Sequence, residues 1–239
     1  MIKQLPQGAL GFDTNQTLTL DIAKKLRATG YSFAIRYIPI LQRATGDITT
    51  QEINDIVTAG LGLLLVQHCR YPGWVPSGDL GTKDATRAVA HLNTVGMPKG
   101  VNVYLDLEGV KPGVSTGDIL AFCNNWYDII NNAGYTPGIY VGFDCGLTGD
   151  TLYHGLKFQH YWKSGANVPD IPIRGYEMVQ TIPTNGKSVY GINIDEDTVL
   201  VDKLNNSPQA LFADAIPTPK TLLRTLSISF YSDGSYEIK

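Results

Sequence analysis

The sequence predicts a single α/β domain, a distorted TIM-like (β/α) barrel with irregular closing strands. Three observations predict it. Apolar runs of strand length alternate with helix-like segments through the first 160 residues. A glycine follows four of those helical segments, just before the next strand. Beyond that point the linkers hold Gly, Pro and Asn but carry no helical period. Regular alternation means parallel strands joined by helical crossovers; its loss marks where the closure departs from that plan.

Taken in order, the buried parallel strands are residues 9–13, 32–38, 61–67, 101–107 and 137–142. They are near-continuous apolar runs, as strands buried on both faces are. The helices between them are residues 20–28, 51–59, 82–94 and 119–133, with a short fifth at 148–154. Thr49-Thr50-Gln51-Glu52 is a capping-box pattern, in which Thr49 is the cap and Glu52 reaches back to free backbone N–H groups. Gly30, Gly60, Gly96 and Gly134 stand where a helix wants a left-handed residue after its last turn. Strands six, seven and eight are residues 158–163, 176–181 and 191–195. The gap 182–190 is shorter than the dozen residues of a parallel crossover, so strands seven and eight are expected to pair antiparallel. An open doubly wound sheet is the alternative. It carries a glycine-rich turn after strand one, whereas that turn here reads Asp13-Thr14-Asn15-Gln16-Thr17. The barrel is expected over residues 1–205. Residues 206–239 are expected to be a tail: a linker with Pro208, Pro217 and Pro219, then a hairpin around Asp233-Gly234. A lone hairpin is unstable in water, so it must pack on the barrel or on another subunit.

The bulk numbers agree with one such domain. The chain has 239 residues, against about 250 for a full eight-stranded barrel. Hydrophobic residues make up 43% and charged residues 17%, which is ample material for a core. A net charge of −3 without a basic run speaks against nucleic acid as a partner. The apolar runs are of strand length, far below the roughly 20 residues of a membrane span. Met1-Ile2-Lys3-Gln4 does not lead into the apolar core of a signal peptide, so synthesis in the cytoplasm without a recognisable signal is expected. Cys69, Cys123 and Cys145 are odd in number and lack CxxC spacing, which argues against a disulfide framework. His68, His91, His154 and His160 are scattered, with no HxH or HExxH spacing. No metal and no cofactor is expected, since Walker, dinucleotide and nucleophile-elbow motifs are missing too. Nothing in the sequence specifies an oligomeric state.

In α/β barrels the chemistry sits at the C-terminal ends of the strands. The polar residues there are Asp13, Arg36, Tyr37, Gln67, His68, Asp106, Glu108, Tyr140, Trp162, Lys163, Gln180 and Asp195. This set suits a sugar: carboxylates for acid/base work, amides for hydroxyls, aromatic faces for the ring. Arg36, Tyr37, Gln67, Tyr140, Trp162 and Gln180 are therefore the expected substrate-binding residues. The sharpest feature is Tyr104-Leu105-Asp106-Leu107-Glu108. Residues i and i+2 on a strand face one side, with Cα atoms roughly 6.6–6.8 Å apart. Two carboxyls on one half-buried face cannot ionise independently, so the more buried keeps its proton near neutral pH. Asp13 could instead cap the following helix, and Asp195, in Ile194-Asp195-Glu196-Asp197, could lie in a solvated turn. An antiparallel strand eight would also send its C-terminal end to the opposite mouth.

These residues resemble a known family. Gly11-Phe12-Asp13 followed by residues 31–37, the Tyr104-Leu105-Asp106-Leu107-Glu108 segment, and Val179-Gln180 followed by Gly191-Ile192-Asn193-Ile194-Asp195 are similar to the glycoside-hydrolase-like family known as domain of unknown function 1906. They also resemble its relatives, the family 25 lysozymes. The resemblance spans about residues 9 to 200. It implies a barrel with an acidic mouth of Asp13, Asp106, Glu108 and Asp195. Glu108 would be the general acid. Asp106 would orient and stabilise the substrate's N-acetyl group as it attacks its own anomeric carbon. The sequence departs from the lysozymes at Thr14-Asn15-Gln16, where they carry a Trp, and at Glu196-Asp197, where an apolar residue and Asn are usual.

Three functions follow. The first is a glycoside hydrolase acting on bacterial cell-wall polysaccharide or peptidoglycan, lysozyme-like or of the phage endolysin type, at the wall or outside the cell. The second is an inert barrel that binds glycan without cleaving it. The third is a Schiff-base lyase using Lys163, disfavoured because a carboxylate-rich mouth holds a lysine charged.

Overall fold

The structure is a computed structural model that describes residues 1–41, 43–181, 186–214, 228–230 and 236–238. A short strand β1 (Ile2–Gln4) precedes the barrel. Seven strands then run parallel in chain order: β2 (Leu10–Thr14), β3 (Phe33–Ile38), β4 (Gly62–Gln67), β5 (Asn102–Leu107), β6 (Thr136–Val141), β7 (His160–Lys163) and β8 (Met178–Thr181). After a three-residue strand β9 (Lys187–Val189) comes β10 (Ile192–Val199), which lies antiparallel between β8 and β2 and shuts the ring. The expected distorted barrel and the antiparallel seventh and eighth strands are both present.

The crossovers are α1 (Leu20–Ala28), α2 (Thr50–Thr58), α3 (Gly78–Thr94), α4 (Thr116–Asn132) and α5 (Gly149–Gly155). Each begins at a Ser or Thr whose hydroxyl accepts a first-turn backbone N–H. Gly30, Gly60, Gly96 and Gly134 all take positive φ after the first four, the left-handed exit that the sequence suggested. The capping box at α2 is only half made. Thr49 Oγ1 accepts from Glu52 N–H at 3.1 Å, but the Glu52 side chain turns inward and accepts from Leu18 N–H and Arg36 Nε.

Strand alternation divides the core into two layers. Phe33, Ile35, Leu64, Val66, Tyr104, Tyr140, Trp162 and Met178 fill the barrel interior. Phe12, Ala34, Leu63, Leu65, Val103, Phe122 and Trp126 belong to the larger layer between barrel and helices. The N-terminal end of the barrel is floored. Strand β11 (Gln209–Leu211) pairs antiparallel with β1 and touches β4 at Leu211↔Leu63. Leu5 and Ala210, 1% and 0% exposed, plug the interior from below. Leu5 N–H donates to Pro208 O, and Gln209 N–H to Asn102 Oδ1. This segment lies past the boundary expected at 205/206, and it packs on the barrel up to Asp214, which pairs with the Met1 ammonium at 2.7 Å.

In the tail, β12 (Ile228–Phe230) and β13 (Tyr236–Ile238) pair antiparallel, as a hairpin requires. Its expected turn at Asp233-Gly234, and Pro217 and Pro219, lie outside the described residues. All three cysteines are free. No helix among the described residues is long and apolar enough to cross a membrane.

Candidate active site

The C-terminal ends of the parallel strands form an open cleft. Asp13, Tyr37, Asp106, Tyr140 and Gln180 occupy inward positions there, and Glu108 continues the inward register just past β5. Because β10 runs antiparallel, its N-terminal half lies at this mouth, and Asp195 stands in register with Asp13. The concern that an antiparallel strand would carry Asp195 to the other end is resolved by its place early in that strand.

On one side of the cleft stand Asp106 and Glu108. Asp106 is 7% exposed and, among the described residues, its Oδ1 has no hydrogen-bond partner. Burial, then the neighbouring Glu108 charge, holds its carboxyl well above the usual range. Glu108 is half-buried; burial raises its pKa, opposed by the Cys69 thiol that donates to Oε1 at 3.4 Å. Gly142, at the end of β6, makes room for this side chain: a Cβ there would collide with the Cβ and carboxylate of Glu108. The Glu108 carbonyl accepts from Trp74 Nε1 at 2.8 Å, which ties the loop after β4 to this wall.

The other side is built on Asp13. Gln180 Nε2 donates to its Oδ2 at 2.7 Å, Tyr37 OH donates to Oδ1 at 3.1 Å, and Tyr140 OH donates to Gln180 Oε1 at 2.8 Å. Burial outweighs these bonds, and the Asp13 carboxyl is pushed up to about 7. Asp195 is partly buried and also raised. Below them lies Asp197, 0% exposed, with neither oxygen in a hydrogen bond among the described residues. Burial and the Asp13 charge hold it well above the ordinary carboxylate range. Among the described residues, none of these five carboxyls has a cationic partner within ion-pair distance.

Two cavities open over the two sides and meet at Asn15. One, of about 780 Å³, is walled by Glu108, Cys69, His68, Tyr71, Trp74 and Leu41. The other, of about 590 Å³, is walled by Asp13, Asp195, Tyr37, Asn193 and Ser188. Ligand sites commonly occupy about 300–1,000 Å³.

Four expected residues take other places. Arg36 is on the outward face of β3 and fully buried; its guanidinium binds Glu52, Thr14 O and Gly46 O. Gln67 is likewise outward, donating to Pro39 O and Asp84 O and accepting from Trp126 Nε1 at 2.7 Å. Neither can reach a ligand in the cleft. Trp162 points inward but lies below the mouth, 1% exposed, with its ring edge-on to Tyr140 at 4.5 Å. Lys163 has the outward register on β7, with Nζ 3.8 Å from Asp170, and so loses the position that Schiff-base chemistry would need.

Residues outside the expected binding and catalytic set also wall the cleft. His68, rather than Gln67, walls the cleft; its ring lies 4.6 Å from the Tyr37 ring and its Nε2 is 2.9 Å from Asp47 Oδ1. Tyr71, 94% exposed, and Trp74 supply aromatic surface from the loop after β4. Asp197 was legible, since an antiparallel strand carrying Asp195 inward must carry residue i+2 inward as well. Cys69 gave no signal.

Comparison with known proteins places this geometry. Residues 24–199 match the family described as Rv2525c-like, glycoside hydrolase-like domain. The fold resembles the Mycobacterium tuberculosis Tat-secreted protein Rv2525c at 18% identity and a TM-score of 0.59, covering 82% of this chain and 96% of that one. It also resembles the catalytic domain of endolysin ply40 from bacteriophage P40 of Listeria monocytogenes, at 17% identity, 82% and 94% coverage and a TM-score of 0.59. A third likeness is to the bacterial lysozyme from Streptomyces coelicolor, at 14% identity, 82% and 93% coverage and a TM-score of 0.56. No curated protein matches the sequence.

Proposed function

The chain belongs to the Rv2525c-like, glycoside hydrolase-like domain family, and on that premise we propose that it hydrolyses a bacterial cell-wall glycan in the manner of a muramidase. The observation that carries this reading is the Asp106–Glu108 pair, buried enough to hold a proton and open to a cleft on one side. Asp106 and Glu108 hold one proton between them, and Glu108, which faces that cleft, passes it to the glycosidic oxygen. Asp106, deeper in the wall, accepts the N–H of the substrate's acetamido group as its carbonyl oxygen attacks the anomeric carbon. Water then opens the cyclic intermediate with Glu108 as the base. The i,i+2 geometry suits this substrate assistance, since a retaining nucleophile would need carboxyls about 5–5.5 Å apart across the scissile bond. Tyr71 and Trp74 offer aromatic faces for sugar rings beside Glu108, and Tyr37, Gln180, Asp13 and Asp195 line the far wall for hydroxyls. The chain acts at the wall, as its lysozyme and endolysin neighbours suggest.

The test is incubation with purified peptidoglycan across roughly pH 4 to 8, which brackets active-site carboxyl values. New reducing ends are expected. Co-sedimentation with the wall without reducing ends at any pH would make this chain a glycan-binding barrel instead.

A further inference from the structure

We propose that Cys69, Asp106 and Glu108 form a binding site for a divalent cation of zinc's class in the wall of the cleft. Scattered histidines and cysteines without paired spacing did not suggest one. The fold creates the cluster. Cys69 follows β4, Asp106 lies on the adjacent strand β5 and Glu108 just beyond it, and one donor atom of each lies within 4.8 Å of the other two.

Three features of the cluster point to a metal of this kind. The Cys69 Sγ to Glu108 Oε1 separation is 3.4 Å. Zinc bonds of about 2.3 Å to sulfur and 2.0 Å to oxygen at a tetrahedral angle put those two atoms about 3.5 Å apart. Asp106 is more than nine-tenths buried and, among the described residues, its Oδ1 has no partner, so a desolvated acceptor stands at the cluster. No Lys, Arg or His forms an ion pair with either carboxylate among the described residues. A thiolate with two carboxylates selects a borderline-soft ion over magnesium or calcium, which take oxygen alone. Three protein ligands leave a fourth position facing the 780 Å³ cavity, open to water.

Binding is proton-linked. The thiol gives up its proton to solvent, as does the carboxyl pair if it holds one, so affinity rises with pH. Where the hydrolase reading above is right, the ion occupies both groups that handle the proton, and zinc inhibits turnover. That consequence rests on the reading; the binding itself does not.

Cobalt(II) titration of the full chain under reducing conditions tests it. A sulfur-to-cobalt charge-transfer band with intense visible bands is expected, displaced by one equivalent of zinc. Cys69→Ser should abolish the charge-transfer band and weaken zinc binding more than about 100-fold, beyond the 10–100-fold of an outer-shell change. Glu108→Gln should also weaken zinc binding, while Cys123→Ser and Cys145→Ser keep the band. Thermal melts keep the test sound if a variant folds poorly: zinc should raise the Tm of the wild type but not of Cys69→Ala. A missing charge-transfer band, or one that survives Cys69→Ser, overturns the site. Zinc binding to a protein that never cuts peptidoglycan would sink the hydrolase reading alone; cutting without cobalt binding would sink the metal site alone.

Discussion

The two sides of the cleft hold the same functional group in different settings. Asp13 is clamped: two side-chain donors fix its oxygens, and one of them, Gln180, is itself fixed by Tyr140. Among the described residues Glu108 has a thiol alone on its carboxylate, with an open cavity beside it. A carboxyl that must pass a proton to a substrate needs an uncommitted oxygen, and one that must position something needs the opposite. On the proposed reading proton transfer belongs to Glu108 on the β5 side, while Asp13 on the β2–β10 side is held for positioning.

The largest expected effect would break this division if it failed. Glu108→Gln should lower turnover on peptidoglycan by about 10²–10⁴-fold, the usual worth of a general acid, with little change in a thermal melt. Full activity in this variant would move the proton elsewhere, and Asp13 would be the first place to look.

Next is stability against pH. The folded-state pKa of Asp13 is about 7, against an unfolded value of 3.8. Below the unfolded value both states are protonated. As pH rises towards 7 the unfolded chain loses the proton and the folded one keeps it, so stability falls and then levels off. The share of Asp13 is on the order of 4 kcal/mol. Asp13→Asn should flatten the profile and be more stable than wild type at about pH 8, read by urea melts at several pH values. An unchanged slope would show that Asp13 is charged in the folded protein, as clamped only by donors.

Gln67→Leu sharpens the comparison from outside it. Trp126 Nε1 and two carbonyls would lose their partner, at a cost of about 1–3 kcal/mol for a buried group left unsatisfied. Because Gln67 faces away from the cleft, kcat/KM should stay as in wild type. A raised KM would return Gln67 to the substrate. The smallest effect is expected of Tyr37→Phe, which removes one bond to Asp13. It should cost about 1 kcal/mol and raise the pKa of Asp13, followed by carboxyl NMR titration; a lowered pKa would mean the hydroxyl does not donate to Asp13.

The parallel units were legible because each carries its own local signals, such as the Thr49 cap and Gly60 around α2. The Asp106–Glu108 pair was legible because both positions of an i,i+2 pair are acidic, so parity needed no further information. At Arg36-Tyr37 and Gln67-His68 the neighbours are both polar and the strands are apolar on both faces. Nothing local says which member turns inward. The answer lies with distant residues: Glu52 waits under α2 for Arg36, and Trp126 of α4 waits for Gln67. The same bond explains why Glu52 left its cap. Cys69 was silent because its meaning depends on a strand pairing, β4 with β5, that brings together residues 39 positions apart.

The floor of the barrel has a practical consequence. The Met1 ammonium is bonded to the Phe212 carbonyl and to Asp214, at the pole opposite the cleft. Whatever is joined to the chain at Met1 lies at the end away from the cleft. A bead, a surface or a fused domain attached there leaves the barrel standing mouth outward, whereas anchoring through Tyr71 or Asn15 would turn the mouth to the wall.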